Sequence, residues 1–229
     1  MVLSPSERGQ TVKLYTVSPQ RVHHPFFARA YHRLAWAMER DLAVRRRELL
    51  AGLAGRVLEI GAGNGMNFGH YPSTVGEVVA VEPEPYLRVR AQAATRAASV
   101  FVIVHDGVAD ELPHAPSSFD AVVACLVLCS VPRQNGALSE LRRVLKSQGE
   151  LRFLEHVRSA SPRKARIQDA LDSCGLWPGI AGGCHCARDT IAAMTSAGFA
   201  IEQIRAFDLG PPWMHTNPHV LGIARAPIR

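Results

Sequence analysis

The sequence contains no long hydrophobic run. Its longest apolar stretch, residues 121–129, is far shorter than the ~18 residues that a membrane-spanning helix requires. Residues 1–5 also lack the basic stretch and apolar core of a secretory signal peptide. We therefore expect neither an integral membrane segment nor a cleaved leader.

Cysteine is scarce and shows no regular pattern. The five cysteines are an odd number without the spacing of a disulfide framework, which favours a reducing compartment such as the cytoplasm. Cys184, His185 and Cys186, with Cys174 upstream, suggest a metal motif only loosely, because zinc sites normally pair their cysteines at Cys-x₂₋₄-Cys spacing. The spacing therefore predicts no metal site.

The sequence also lacks a concentrated basic segment, although its net charge is +6. Its arginine-rich clusters at residues 45–47, 142–143 and 163–166 contain no interleaved aromatic residues. Such clusters are typical of solvated helix faces rather than of a nucleic-acid site. We therefore expect no nucleic-acid partner.

What the sequence does contain is enough apolar material for one globular domain. Its 229 residues are 47% hydrophobic, and we divide them into an amino-terminal arm with helices (1–54) and a main domain (55–229). Apolar residues recur at helical spacing between residues 26 and 53, which predicts two amphipathic helices. The aromatic residues at the start of this segment suggest a lid over a bound ligand, with Pro25 as its hinge. The lid residues are His24, Phe26, Phe27 and Tyr31.

From residue 56 onward, short apolar runs alternate with amphipathic segments. The predicted strands are residues 56–60, 78–81, 100–104, 121–128, 150–154, 200–207 and 219–225. The predicted helices are residues 86–98, 138–145 and 188–197, and we expect Gly198 to form a left-handed cap on the last of them. Continuous apolar strands that alternate with helices are typical of a doubly wound α/β sheet.

The most informative segment follows the first predicted strand. Gly61, Gly63 and Gly65 stand at alternate positions, so the backbone of this turn is open to a ligand. Glu82 ends the second strand, where an acid can accept hydrogen bonds from ribose hydroxyls. An NAD-binding loop would carry its third glycine at the position of Met66, so the spacing disfavours a dinucleotide.

This segment resembles the Glu-x-Gly-x-Gly-x-Gly motif of class I S-adenosylmethionine-dependent methyltransferases, with Glu82 as their ribose-binding acid. Residues 107–113 and 118–123 are similar to the family's adenine-flanking segment, and residues 141–149 to its turn before the fifth strand. The resemblance implies a Rossmann-like sheet of seven strands with the last antiparallel, and S-adenosyl-L-methionine as the cofactor. The cofactor-binding residues that it implies are Glu59, Gly61, Gly63, Gly65, Asn67, Glu82, Pro83, Gly107, Val108, Ala109 and Leu126.

One position departs from the family's pattern. Members often carry an aspartate, which accepts a hydrogen bond from the adenine amino group, where this sequence has Val108. Asp106 or Asp110 would have to replace that contact, or the contact is made by the backbone alone.

Segments outside the cofactor motif narrow the resemblance. Residues 67–72, 126–131, 155–157 and 218–222 are similar to a group that includes the animal alkyl-thiol methyltransferases. Those animal proteins begin with a hydrophobic anchor, and we expect none in this sequence. A second similar group methylates quinone precursors. The resemblance implies methyl transfer to a small-molecule acceptor, possibly a thiol. The alternatives are O- or C-methylation of a phenol or quinone precursor, and a non-catalytic nucleotide-binding module.

The acceptor side is assigned from the ends of the later strands. We expect Cys129 and Ser130 to end the fourth strand and face the acceptor, with core packing as the alternative for Cys129 and as the expectation for Cys125. His156 follows the fifth strand and is the candidate base, with a structural histidine as its alternative, and His185 is a second candidate base for a phenol or amine acceptor. Candidates for an apolar acceptor pocket are Trp177, Trp213, Met214 and His215. The oligomeric state is left open.

Overall fold

The computed structural model describes residues 23–211 and 213–228, so residues 1–22 of the predicted arm lie outside the described part of the chain. The first helix, α1, spans Pro25–Leu50 without interruption. The prediction of two helices here is therefore wrong. No glycine or proline follows Pro25 within this span, and the segment is rich in alanine, leucine and arginine, which all favour a continuous helix.

Seven strands form one mixed sheet. They are β1 (Gly55–Ile60), β2 (Val75–Val81), β3 (Phe101–His105), β4 (Phe119–Cys125), β5 (Leu145–His156), β6 (Ala200–Asp208) and β7 (Pro218–Arg225). Their order in the sheet is β3-β2-β1-β4-β5-β7-β6, and β1 to β5 pair in parallel. The last strand, β7, lies antiparallel between β5 and β6. The predicted seven-stranded Rossmann-like sheet with an antiparallel last strand is thus confirmed.

Within the described residues, five further α-helices connect the strands. They are α2 (Pro85–Ala94), α3 (Gln134–Val144), α4 (Pro162–Ser173), α5 (Leu176–Ile180) and α6 (Thr190–Ser196). Gly198 follows α6 with a φ of +89°, which agrees with the predicted left-handed cap. Helices α4 and α5 were not predicted. The Ser161-Pro162 pair that starts α4 is an ordinary helix signal, but the charged residues after it carry little apolar periodicity.

The end of β4 differs from its prediction. The predicted strand continues to Leu128, but the observed strand stops at Cys125 and the backbone turns at Leu126, which has a φ of +57°. The buried carboxylate of Glu155, on β5, accepts hydrogen bonds of 3.0 Å from the backbone nitrogens of Val127 and Leu128. Because these nitrogens bond to a side chain, they leave the sheet ladder. Cys129 and Ser130 therefore lie in a turn after the strand rather than at its end.

Apolar side chains from both faces of the sheet form two core layers. One layer packs α3 and α6 against the sheet around Phe119 and Phe153, and the other packs α1 against it around Phe68. None of the helices in the described ranges is long and apolar enough to cross a bilayer. The parallel strands end together at one edge, where ligands bind in sheets of this kind.

Candidate functional site

A cleft of about 920 Å³, counted to its open mouth, lies at the carboxyl ends of β1, β2 and β4. Eight of the eleven predicted cofactor residues line it: Gly61, Gly63, Glu82, Pro83, Gly107, Val108, Ala109 and Leu126. The remaining lining residues are His24, Phe27, Tyr31, Glu84, Leu87, Asp110, Cys125, Val127, Ser130, Val131, Pro132 and Gly182.

The floor of the cleft is the glycine loop after β1. Gly61 and Gly63 have φ values of +60° and +57°, in the left-handed region that side chains other than glycine rarely adopt. A Cβ atom at Gly61 would overlap Val127, and one at Gly63 would lie 3.3 Å from the ring of Tyr31. The loop therefore needs glycine both for its backbone conformation and for the close approach of its neighbours.

Glu82 fixes the position of the glycine loop from the end of β2. Its carboxylate accepts hydrogen bonds from the backbone nitrogens of Gly63 (2.7 Å) and Glu84 (2.9 Å). Burial raises the pKa of Glu82 to about 7, although both hydrogen bonds oppose this increase. A buried carboxylate at the wall of the cleft is suited to accept hydrogen bonds from the hydroxyl groups of a ligand.

The start of α1 closes one side of the cleft. Phe27 and Tyr31 stack with ring centroids 5.7 Å apart, and burial raises the pKa of the Tyr31 phenol to about 12. Of the four predicted lid residues, His24, Phe27 and Tyr31 line the cleft, whereas Phe26 is exposed. The backbone nitrogen of His24 donates to Glu84, which ties this segment to the loop after β2.

The other three predicted cofactor residues support the loop from beneath. Glu59 is buried and accepts hydrogen bonds from Asn67 Nδ2 (2.9 Å) and the Tyr71 hydroxyl (2.7 Å). Asn67 in turn accepts from Arg46 of α1 at 2.7 Å. Gly65 has a φ of +82°, and a Cβ there would lie 2.8 Å from Ala94. These residues hold the loop and do not line the cleft.

Replacing Glu59 with alanine should lower the free energy of unfolding by about 2–5 kcal/mol. The change leaves two buried donors, Asn67 Nδ2 and the Tyr71 hydroxyl, without their acceptor, and each such loss costs ~1–3 kcal/mol. Denaturant unfolding measures the effect. The matched control is Glu77→Ala, which removes a half-exposed ion pair with Arg56 and should cost less than about 1 kcal/mol. Equal losses in the two variants would contradict the supporting role of Glu59.

The two acids proposed to replace the family's adenine-side aspartate lie in different surroundings. Asp110 lines the cleft, with its side chain nearly buried and paired with Arg133 at 2.6 Å. Asp106 is half-exposed, pairs with Arg88 at 3.0 Å, and is not among the lining residues. The geometry therefore favours Asp110 over Asp106, beside Val108.

Part of the cleft lining is apolar. Val127, Val131 and Pro132, from the turn after β4, line the cleft together with Phe27 of α1, whose ring a Cβ at Gly182 would overlap. The predicted pocket residues Trp177, Trp213, Met214 and His215 are not among those that line this cleft, and Trp213 is 81% exposed. The apolar wall thus comes from the turn after β4 and from α1, not from the carboxyl-terminal segment.

Behind this wall, Cys129 and His156 meet Cys184 in a buried cluster. His156 Nε2 lies 2.8 Å from Cys184 Sγ, and Cys129 Sγ lies 3.5 Å from the hydroxyl of Ser130, which lines the cleft. The hydrogen bond from Cys184, together with the nearby His156, holds the pKa of Cys129 well below its usual range. Burial opposes protonation of His156, but the charge of Cys129 raises the pKa of its imidazole. Of the three predicted acceptor-side residues, Ser130 lines the cleft, whereas Cys129 and His156 do not.

Several residues of the site have no recognisable local signal in the sequence. Glu84 and Leu87 line the cleft because α2 starts at Pro85, directly after the loop that carries Glu82. Cys125, expected in the core, ends β4 at the cleft wall, where Arg46 Nη1 lies 3.4 Å from its sulfur. Cys184 joins Cys129 and His156 across 55 and 28 residues, and no local spacing reveals such a contact.

Comparisons with known proteins agree with this geometry. Residues 58–153 match a family described as a methyltransferase domain. The chain is 32% identical over 220 residues to a thiol S-methyltransferase of Mus musculus, and the match covers 89% of this chain and 86% of that protein. It is 47% identical to a ubiquinone/menaquinone biosynthesis C-methyltransferase of Rhizobium leguminosarum, but over 62 residues that cover 27% of this chain and 24% of that protein.

Among solved structures, the fold is similar to an N-methyltransferase of Bradyrhizobium japonicum in complex with S-adenosyl-L-homocysteine. The two share a TM-score of 0.63 and 17% sequence identity, over 83% of this chain and 88% of that one.

Proposed function

The chain belongs to the class I S-adenosylmethionine-dependent methyltransferases, and from that premise we propose that its methyl acceptor is a small, apolar thiol. The observation that carries the proposal is the extent of the match to the mouse thiol S-methyltransferase, which covers 89% of the chain. The match to the quinone C-methyltransferase covers only 27% of it.

The cofactor end of the cleft fits S-adenosylmethionine, which supplies an electrophilic methyl group on a sulfonium sulfur. The backbone of Gly61 and Gly63 leaves room for close approach of the ligand, since no side chain projects from the loop there. We assign Glu82 to the ribose hydroxyls and Val108 with Asp110 to the adenine side. Glu59, Gly65 and Asn67 are assigned to holding the loop in place.

The acceptor end supports a thiol on chemical grounds. Transfer forms a bond between the acceptor atom and the methyl carbon, breaks the bond from that carbon to the sulfonium sulfur, and releases the acceptor's proton to solvent. The protein mainly aligns the two reactants, and good alignment can lower the activation barrier by ~7–11 kcal/mol. A thiol with a pKa of ~8.5 is already partly ionised at neutral pH, so an apolar wall of Val127, Val131 and Phe27 serves it without a strong base.

In this proposal Cys129 and His156 do not contact the acceptor but help to position the residues that line the acceptor side of the cleft. They lie behind Ser130 and Gly182, which line the cleft, and not in contact with its interior. His24 does line the cleft, and we assign its imidazole to passing the acceptor's proton on to solvent.

The test is a panel of alkyl and aryl thiols, phenols and quinone precursors, supplied with donor labelled in its methyl group. We expect S-methylation of apolar thiols, with a rate that increases with pH until the acceptor's own thiol is ionised at ~8.5. Turnover of phenols or quinone precursors with no turnover of thiols would contradict the thiol proposal. If no acceptor of the panel leads to release of S-adenosyl-L-homocysteine, although the donor binds, a non-catalytic module would be favoured.

A further inference from the structure

Three side chains of types that bind metals lie close together behind the apolar wall of the cleft. One ligand atom each of Cys129, His156 and Cys184 lies within 4.8 Å of the other two, and all three residues are buried. They come from three separate segments: the turn after β4, the last position of β5, and the loop before α6. We propose that these three residues bind one Zn²⁺ ion.

The donor set matches the chemistry of zinc. Cysteine sulfur and imidazole nitrogen are the ligands that Zn²⁺ prefers, at ~2.3 Å and ~2.0–2.1 Å. A tetrahedral ion with such bonds separates its ligand atoms by roughly 3.5–4 Å, so the three side chains need only small movements from the observed cluster. Two thiolates and one neutral imidazole also balance the double charge of the ion, which matters because an uncompensated charge is costly at a buried site.

The surrounding groups suit thiolate ligands. Trp177 Nε1 donates to Cys184 Sγ at 3.3 Å, and the Ser130 hydroxyl lies 3.5 Å from Cys129 Sγ. The guanidinium of Arg188 donates to the carbonyl oxygens of Leu128 (2.9 Å) and Val131 (2.7 Å), on either side of Cys129. Donors that contact the ligating atoms orient them and stabilise their charged form, as outer-shell groups do in known metal sites.

The two other cysteines at and upstream of the Cys-His-Cys run do not join the cluster. Cys186 Sγ contacts Asp172 at 3.3 Å and Gln168 at 3.8 Å, on α4, while Cys174 is exposed. This separation explains why the Cys-His-Cys run is a misleading sequence signal. Only its first cysteine belongs to the cluster, and the other two ligands are distant in the chain.

An ion at this position would hold together the turn and the loop that carry part of the cleft lining. Cys184 belongs to the same loop as Gly182, and Cys129 is adjacent to Ser130, so both cysteines flank residues that line the cleft. The backbone nitrogen of His185 already donates a hydrogen bond to the carbonyl oxygen of Cys129 at 2.9 Å, so the loop and the turn are in direct contact. The three ligands themselves do not line the cleft. The ion would therefore position the wall rather than touch the acceptor, and its binding does not depend on the acceptor's identity.

The test titrates the full chain, purified under reducing conditions and treated with a chelator, with Co²⁺ and then Zn²⁺. We expect one equivalent of Co²⁺ to produce the visible bands of tetrahedral coordination and a near-ultraviolet thiolate charge-transfer band, both lost when Zn²⁺ displaces the cobalt. Cys184→Ser should weaken metal binding by more than the ~100-fold upper limit for an outer-shell partner. Cys174→Ser, which changes an exposed cysteine, should bind as the unaltered protein does.

The spectrum of the unaltered protein is informative even if Cys184→Ser fails to fold. An octahedral Co²⁺ spectrum, binding far below one equivalent, or equal loss of binding in Cys174→Ser would overturn the site. So would a Cys129–Cys184 disulfide found by mass spectrometry in the protein isolated with reductant. None of these results bears on the thiol proposal, which acceptor turnover tests separately.

Discussion

Replacing Glu82 with alanine should weaken S-adenosylmethionine binding by about 10- to 100-fold. The carboxylate lines the cleft, and hydrogen bonds to a charged group are worth ~1.5–3 kcal/mol, or one to two powers of ten in affinity. The variant also loses the acceptor for the backbone nitrogens of Gly63 and Glu84, which loosens the glycine loop. Titration calorimetry with the donor measures the loss.

The same residue should make donor binding depend on pH. Burial raises the pKa of Glu82 to about 7, so the carboxyl is largely protonated in mildly acidic solution. A neutral carboxyl is a poorer acceptor for two ribose hydroxyls than a carboxylate is. Affinity should therefore decrease as pH falls through about 7, and this dependence should disappear in Glu82→Ala.

The matched control is Asp106→Ala. Asp106 pairs with Arg88, which also donates to the backbone carbonyl of Glu82, but Asp106 does not line the cleft, so its loss should leave donor affinity within about twofold. Unchanged affinity in a folded Glu82→Ala protein would remove Glu82 from the donor site. Equal losses in the two variants would show that general charge, and not the ribose contact, controls binding.

The features that the sequence predicts well depend on residues that are close together in the chain. The alternate glycines at 61, 63 and 65 predict an open loop, and the two that line the cleft have left-handed backbones there. The acid at the end of β2 lies beside that loop because parallel strands end at one edge of the sheet. Gly198 caps α6 for an equally local reason.

The features that the sequence does not predict depend on distant contacts. The apolar run after Phe119 predicts a strand up to Leu128, but the carboxylate of Glu155, on the next strand, captures the backbone nitrogens beyond Cys125. The cluster at Cys129 forms in the same way, because it needs the end of β5 and the loop before α6. Motif spacing detects only residues that are close in the sequence, whereas these sites consist of residues that the fold brings together from distant parts of the chain.

Replacing Gly63 with valine should lower the affinity for S-adenosylmethionine by more than about 100-fold. A β-branched residue at a φ of +57° is strained by ~1–3 kcal/mol, and its Cβ would lie 3.3 Å from the ring of Tyr31 before its methyl groups are added. Relief requires either movement of Tyr31 into the cleft or a twist that breaks the 2.7 Å hydrogen bond to Glu82, and each change removes donor contacts. Gly69→Val is the control, since no atom lies within 4 Å of the Cβ position at this exposed glycine. Calorimetry gives the affinities, and thermal unfolding shows whether both variants fold. Normal donor affinity in a folded Gly63→Val protein would place the donor away from the glycine loop.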